Sequence, residues 1–271
     1  HKNLHHYLKA KLYLFKNLIK KKGNVITDEK IPEFKKIKKI ILNKKLNLYS
    51  LFSKKNNFQL VSHEFDGEGQ LLKIRYNSSI HEIKINLIGK IQLKNILMAI
   101  IASIKSDIEI KKIFKVIPMI KPVEGRFERI GRIKNKSKVI LDYAHTPDAL
   151  KTCLINLKEQ FPGHKISLVF GCGGNRDRDK RAKMGKIADN FSDKIYLTDD
   201  NPRSEQPNHI RKDIKKGINK QKVFEFPNRA KAILEAINQL NTGEILLVAG
   251  KGHETTQEIG RRKVYFSDKK I

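Results

Sequence analysis

From residue 125 onward the chain repeats one pattern: a short continuous apolar run, a polar or glycine-rich break, then a longer amphipathic stretch. Apolar runs at 138–141, 166–170, 194–198 and 244–249 alternate with helical stretches near 147–160, 180–191, 207–218 and 228–240, and 222–226 reads as a further strand. Apolar runs of this length fit strands buried on both faces, and their alternation with helices predicts a parallel sheet covered by helices, an α/β architecture. The first half reads differently. Residues 1–22 predict a helix with a basic face, Gly23-Asn24 a turn, and Val25-Ile26-Thr27-Asp28 a short buried strand. Between 34 and 90 the apolar runs have period-2 character, as in Gln70–Tyr76 and His81–Leu87, which predicts the antiparallel edge of a sheet. Helices follow at 92–104 and 107–115, Pro118 to Pro122 reads as a linker, and the domain boundary is expected near Gly125.

Each distinctive cluster of the second half follows a predicted strand: Asp142-Tyr143-Ala144-His145, Gly171-Cys172-Gly173-Gly174-Asn175-Arg176, Asp200-Asn201-Pro202-Arg203 and Gly250-Lys251-Gly252-His253-Glu254. Ligands of open α/β sheets bind beyond the carboxyl ends of strands, so four such turns on one rim would converge on one crevice. Pro202 fixes its own φ and pushes Asn201 into an extended conformation, which predicts an amide and a guanidinium facing outward at fixed spacing. The Arg203 fork can take a carboxylate bidentately, while the Asn201 amide both donates and accepts. Taken alone, the same residues also read as an Asx-Pro turn with a solvated arginine. Arg176 could reach an anion near a helix amino terminus, or simply end a tight turn. Gly250 and Gly252 permit close backbone approach, leaving Glu254 free for an ammonium group or for solvent. Asp142 could orient a ribose or a metal's water shell, with Thr146-Pro147-Asp148 starting the next helix. His1, His5 and His6 have no nearby carboxylate and make a poor metal set, and Lys11 alone is a surface lysine. No GxxxxGK[ST] phosphate loop occurs, and Gly171 to Arg176 departs from a dinucleotide fingerprint at Arg176.

Composition changes this picture little. The 271 residues suffice for two domains, and no apolar stretch approaches the roughly 20 residues of a membrane helix, so membrane insertion is not expected. Cys153 and Cys172 lack metal or disulfide spacing, which fits a cytoplasmic protein. The formal charge of +29 invites a nucleic-acid reading. Its distribution argues against one: residues 1–124 hold 26 basic and 10 acidic side chains, residues 125–271 hold 31 and 18, Lys outnumbers Arg 45 to 12, and no aromatic residues interleave with the basic ones. A compositional bias accounts for the charge, and no nucleic-acid partner is expected.

Taken together, the four turns resemble those of the Mur ligase family, in its diaminopimelate-adding branch. Asp142 to Leu150, Phe170 to Arg176, Thr198 to Arg203 and Gly250 to Glu254 follow the family's order and spacing, with weaker likeness from His1 to Tyr7 and over Gly125-Arg126-Phe127-Glu128. The resemblance implies that 1–124 is the later part of a central ATP-binding domain and 125–271 a Rossmann-like C-terminal domain that binds the amino acid. It implies that Arg176, Asp200, Asn201, Pro202, Arg203, Gly250 and Glu254 hold meso-diaminopimelate. It also implies that Asn95, Arg126, Asp142 and His145 contact ATP, and that Lys11 is a carbamylated lysine supporting Mg2+. The implied reaction joins diaminopimelate to UDP-N-acetylmuramoyl-L-alanyl-D-glutamate through an acyl phosphate, for peptidoglycan synthesis, in a monomeric enzyme.

Two departures stand out. Gln92 replaces an amide one methylene shorter in Gly89-Lys90-Ile91-Gln92-Leu93-Lys94-Asn95, where adenine contacts could shift, and Ala182 stands where a proline is usual. The phosphate loop and the sugar-nucleotide domain would precede His1, so this length alone is expected to be inactive. A folylpolyglutamate synthase-like ligase and an inactive amino-acid-binding remnant are the competing readings. The first is disfavoured by the Asp200 to Arg203 turn and its Gly250 to Glu254 companion.

Overall fold

The computed structural model describes residues 3–53, 57–132, 136–219 and 223–271. His1, and Lys222 at the start of the strand expected over 222–226, lie outside them. The chain divides into two compact units, His1–Ile120 and Lys121–Ile271.

In the first unit, helix α1 (Leu4–Tyr13) is capped by the Asn3 side chain, which accepts from the His6 N–H at 2.9 Å. The helix expected over 1–22 ends earlier, passing into a π-helical turn at Leu14–Leu18. Strand β1 (Asn24–Thr27) follows, then helix α2 (Phe34–Asn43) and strand β2 (Asn47–Ser50), which pairs parallel with β1. Leu12, Val25, Ile37, Ile41 and Leu46 form the core they share. The period-2 runs become β3 (Phe58–Phe65), β4 (Gln70–Tyr76) and β5 (Ser79–Ile85), an antiparallel sheet of three strands in its own right and not the edge of a larger one. Its apolar face packs with helix α3 (Lys90–Ile104), followed by α4 (Ile110–Val116), around Leu72, Ile74, Ile85, Leu97 and Ile100.

The second unit is a six-stranded sheet. Its elements in chain order are β6 (Glu128–Arg132), β7 (Lys138–Asp142), α5 (Pro147–Gln160), β8 (Ile166–Phe170), α6 (Asp179–Phe191), β9 (Lys194–Thr198), α7 (Pro207–Lys215), β10 (Val223–Phe226), α8 (Arg229–Asn238) and β11 (Ile245–Ala249). The sheet order is β10-β9-β8-β11-β7-β6. Five strands are parallel and β6 is antiparallel to β7, so the sheet is mixed where a parallel one was expected. β8 and β11 are buried at every position, as their unbroken apolar sequences require. Thr146 caps α5 ahead of Pro147, accepting from the Ala149 N–H at 3.3 Å. α6 runs unbroken through Ala182. An unforeseen hairpin, β12 (Thr256–Ile259) with β13 (Arg262–Tyr265), follows β11. Because β7, β8, β9 and β11 run parallel in one sheet, the four distinctive turns stand on the same rim.

Candidate amino-acid site

A cavity of about 470 Å³ opens on that rim, lined from all four turns. Three short contacts bring its two central turns together. The Gly174 N–H donates to the Asn201 carbonyl at 2.9 Å, Arg203 Nη1 donates to the Gly174 carbonyl at 2.9 Å, and the Asn175 side-chain oxygen accepts from the Ser204 N–H at 3.1 Å. A Cβ on Gly174 would lie 1.9 Å from the Pro202 carbonyl oxygen, so only glycine allows this approach.

Of the residues expected to hold an amino acid, Arg176, Asp200, Asn201, Arg203, Gly250 and Glu254 all line the cavity. Pro202 is buried behind the turn. The detail differs from expectation at three of them. Asn201 does not face outward: its Nδ2 donates to Glu254 at 3.2 Å, and its Oδ1 accepts from Lys251 Nζ at 3.2 Å and from the Glu258 N–H at 2.9 Å. Its amide is consumed inside the protein, as a buried amide must be. Arg203 is not a free fork. Its φ is +51°, its Nε pairs with Glu258 at 2.6 Å, and its Nη1 is committed to the Gly174 and Asn201 carbonyls, leaving Nη2 for a ligand. A carboxylate there would be gripped by one nitrogen of Arg203 and completed by Arg176, which is exposed and has no ion pair among the described residues. Glu254 is not free either, since it accepts from Lys251, from Asn201 and from the Tyr143 hydroxyl at 3.3 Å.

The floor beneath Glu254 is charged and dry. Lys251 is fully buried, and Arg229 lies buried against Asp268 at 2.7 Å while donating to the Ala249 carbonyl at 3.0 Å. Asp200 sits above them, with a Cβ at Gly250 reaching 2.7 Å from its Oδ2. Burial pushes the Asp200 carboxyl above the usual carboxylate range, against the pull of Arg229 and Lys251 and with the push of Glu254 and Asp268. Two formal cations thus face three carboxylates, and the unmatched negative charge borders the cavity. Arg176, Arg203 and Lys180 line the same cavity, with Asp177 beside Arg176. Such a cavity complements a group bearing both an ammonium and a carboxylate.

Beside this site, Tyr143 joins several residues. Arg126 lies 4.5 Å from its ring centroid, and the His145 and His253 rings lie 4.7 and 5.4 Å from it. Burial and the Glu254 carboxylate push its phenol above the usual range. His145 lines the cavity, accepting from Lys180 Nζ at its carbonyl at 2.8 Å. Asp142 is a turn builder. Its oxygens accept from the Phe127 N–H at 2.7 Å, the Ala144 N–H at 2.8 Å and the Cys153 thiol at 3.2 Å.

Asn95 and Lys11 belong to the first unit. Asn95 is exposed on α3 with its amide 3.4 Å from Gln92 Oε1. Lys11 is exposed on α1 with its Nζ 5.2 Å from the Tyr7 ring centroid. His5 and His6 touch only edge to face at 6.2 Å, and the described residues hold no cluster of three His, Cys, Asp or Glu fit for a metal. No described helix is long and apolar enough to cross a membrane.

Sequence reasoning passed over Tyr143, Arg181, Glu205, Lys251 and Glu258. Lys251 lay within a quoted motif, but its burial had no local signal.

Residues 1–103 match the Mur ligase middle domain and residues 125–252 the Mur ligase glutamate ligase domain. The UDP-N-acetylmuramoyl-L-alanyl-D-glutamate--2,6-diaminopimelate ligase of Rickettsia prowazekii (strain Madrid E) is 37% identical over 276 residues, which cover 100% of this chain and 56% of that relative. A solved structure of a ligase of the same name aligns with a TM-score of 0.66 at 29% identity, covering 99% of this chain and 55% of the other. Mycobacterium tuberculosis folylpolyglutamate synthase, complexed with ADP and AMPPCP, aligns with a TM-score of 0.66 at 15% identity, covering 84% and 52%. At that identity the likeness shows the fold alone. The chain spans about half the length of the relatives it matches.

Proposed function

We propose, for a chain that belongs to the Mur ligase family, that it is part of an ATP-dependent ligase adding meso-diaminopimelate to UDP-N-acetylmuramoyl-L-alanyl-D-glutamate. The observation that carries this reading is a cavity lined by both signs of charge, Arg176, Lys180 and Arg203 together with Asp177, Asp200 and Glu254. Diaminopimelate carries an amino-acid group at each end. One end fits such a cavity, and the other keeps its amine for reaction. Lysine has only one carboxylate, so with its α-amine placed for reaction its distal end would leave Arg176 and Arg203 without a ligand partner, which selects against it.

In the proposed reaction the side-chain carboxylate of the glutamate takes the γ-phosphoryl group of ATP, releasing ADP and forming an acyl phosphate. The unprotonated amine of diaminopimelate then attacks the acyl carbon, an amide forms, and phosphate leaves with the electron pair of the broken C–O bond. The task of this chain's cavity is to orient that amine. Arg126, with its guanidinium over the Tyr143 face, and His145 stand beside the cavity, where the nucleotide contacts are proposed. Asn95 is proposed as a further nucleotide contact. Asp142 would act through the turn it builds, because its oxygens are already engaged. A carbamylated Lys11 would offer a carboxylate-like oxygen to a magnesium ion, and the described residues hold no cluster of three His, Cys, Asp or Glu to join it. A cytoplasmic, monomeric enzyme is the setting we propose.

The test is steady-state kinetics of the natural-length protein. Arg176→Ala and Arg203→Ala should each raise KM for meso-diaminopimelate at least tenfold, about 1.4 kcal/mol or more, with KM for ATP within about twofold of wild type. Unchanged diaminopimelate kinetics in both variants would refute the site.

A further inference from the structure

Arg181 is 1% exposed, on a helix whose neighbouring charged residues face solvent. Its Nη2 donates to both oxygens of Glu205, at 3.0 and 2.9 Å, and reaches the Gly173 carbonyl at 3.4 Å, while Nη1 donates to Asp213 at 3.2 Å. Glu205 in turn accepts from the Asn175 N–H and is approached by Arg178 at 3.4 Å. Asn175 is the residue before Arg176 and has a φ of +52°, a conformation that ordinary side chains rarely hold unaided. Glu205 follows Arg203, itself at +51°, by two positions. One ion pair, its arginine buried and its glutamate half-buried, therefore ties together the two turns that carry the arginines that would receive the ligand.

We propose that the Arg181–Glu205 pair is a positioning device that fixes where Arg176 and Arg203 together hold the ligand's carboxylate, and through it the length of diamino acid the cavity accepts. The inference rests on the amino-acid site proposed above. Neither residue lines the cavity, so both act through the turns they brace. One guanidinium nitrogen of Arg181 reaches both oxygens of Glu205 while the other holds Asp213, so the buried arginine joins α6 and α7 to the turn at Glu205 by charge-assisted hydrogen bonds. When the pair is weakened, the turns can part, and the carboxylate should be held less strictly in one place, so that a longer acceptor is tolerated while every residue that touches the ligand is kept.

The experiment uses the natural-length protein with two variants, Glu205→Gln and Arg181→Lys, and two acceptors, meso-diaminopimelate and 2,7-diaminosuberate, which is one methylene longer. For Glu205→Gln the expected result is about a tenfold rise in KM for meso-diaminopimelate with kcat and KM for ATP within about twofold. The kcat/KM ratio of the longer to the shorter acceptor should rise at least fivefold, and Arg181→Lys should move it the same way by less. An unchanged ratio in both variants overturns the inference, whether or not their melting temperatures fall, because loss of stability alone does not alter which acceptor is preferred. Should wild type fail to saturate with meso-diaminopimelate, the proposed acceptor is wrong. Should wild type saturate and the ratio stay fixed, only the brace is wrong.

Discussion

Asp200 illustrates a conflict between stability and binding within one side chain. Its carboxyl is pushed up by burial, so the folded state takes a proton there more readily than the unfolded chain does. The deficit is fully present above the raised folded value, and stability is regained as pH falls through that value. Glu205 runs the other way. Burial raises it, but the Asn175 N–H and the Arg181 and Arg178 guanidiniums outweigh burial and hold it below the usual range. Its contribution is full above the unfolded value and is lost as pH falls through the folded one. Asp200→Asn should therefore raise the melting temperature of the unliganded protein. It should also weaken meso-diaminopimelate, whose ammonium would no longer meet that charge. Calorimetry with and without the amino acid reads both effects. A lowered melting temperature with unaltered binding would contradict this account of the residue.

The strand-end turns depend on glycine for their closeness. Gly174→Ala would set a methyl group 1.9 Å from the Pro202 carbonyl oxygen, a backbone atom that cannot rotate away. The expected cost is about 1–3 kcal/mol, measured by denaturant unfolding, together with a raised KM for diaminopimelate. Gly67→Ala is the comparison: its φ of +74° strains an alanine there, but nothing lies within 4 Å of the new methyl, so it should leave diaminopimelate kinetics unchanged. At this scale the sequence was legible where one physical signal dominated. β8, β9 and β11 are buried runs and lie where the apolar pattern predicts them, and α5 starts at its Thr146-Pro147 cap. The hairpin β12–β13 escaped because Arg262–Tyr265 is wholly exposed and carries no alternation. Helix α2 was legible but passed over: Phe34, Ile37, Ile40 and Ile41 stand at helical spacing, which the period-2 reading of 34–90 overrode.

Over the whole molecule, the family was legible because motifs persist in order along the chain. The wiring beneath the site was not. Arg181 and Glu205 are 24 residues apart, Arg229 and Asp268 are 39 apart, and lysines and arginines read in one dimension as surface. For the same reason Arg203 and Asn201 were expected to serve a ligand alone, whereas Glu258, Gly174 and Lys251 share them. The formal charge of +29 makes a complementary prediction. If it is compositional, retention of the protein on a duplex DNA column should vanish by physiological salt.

The central claim is that the cavity selects an amino-acid group carrying both charges. Its most direct measurement is acceptor-dependent phosphate release by the natural-length protein, with meso-diaminopimelate and L-lysine compared under identical ATP and sugar-nucleotide. The account predicts that kcat/KM for meso-diaminopimelate exceeds that for lysine by about 100-fold or more. Equal kcat/KM for the two acceptors would contradict it.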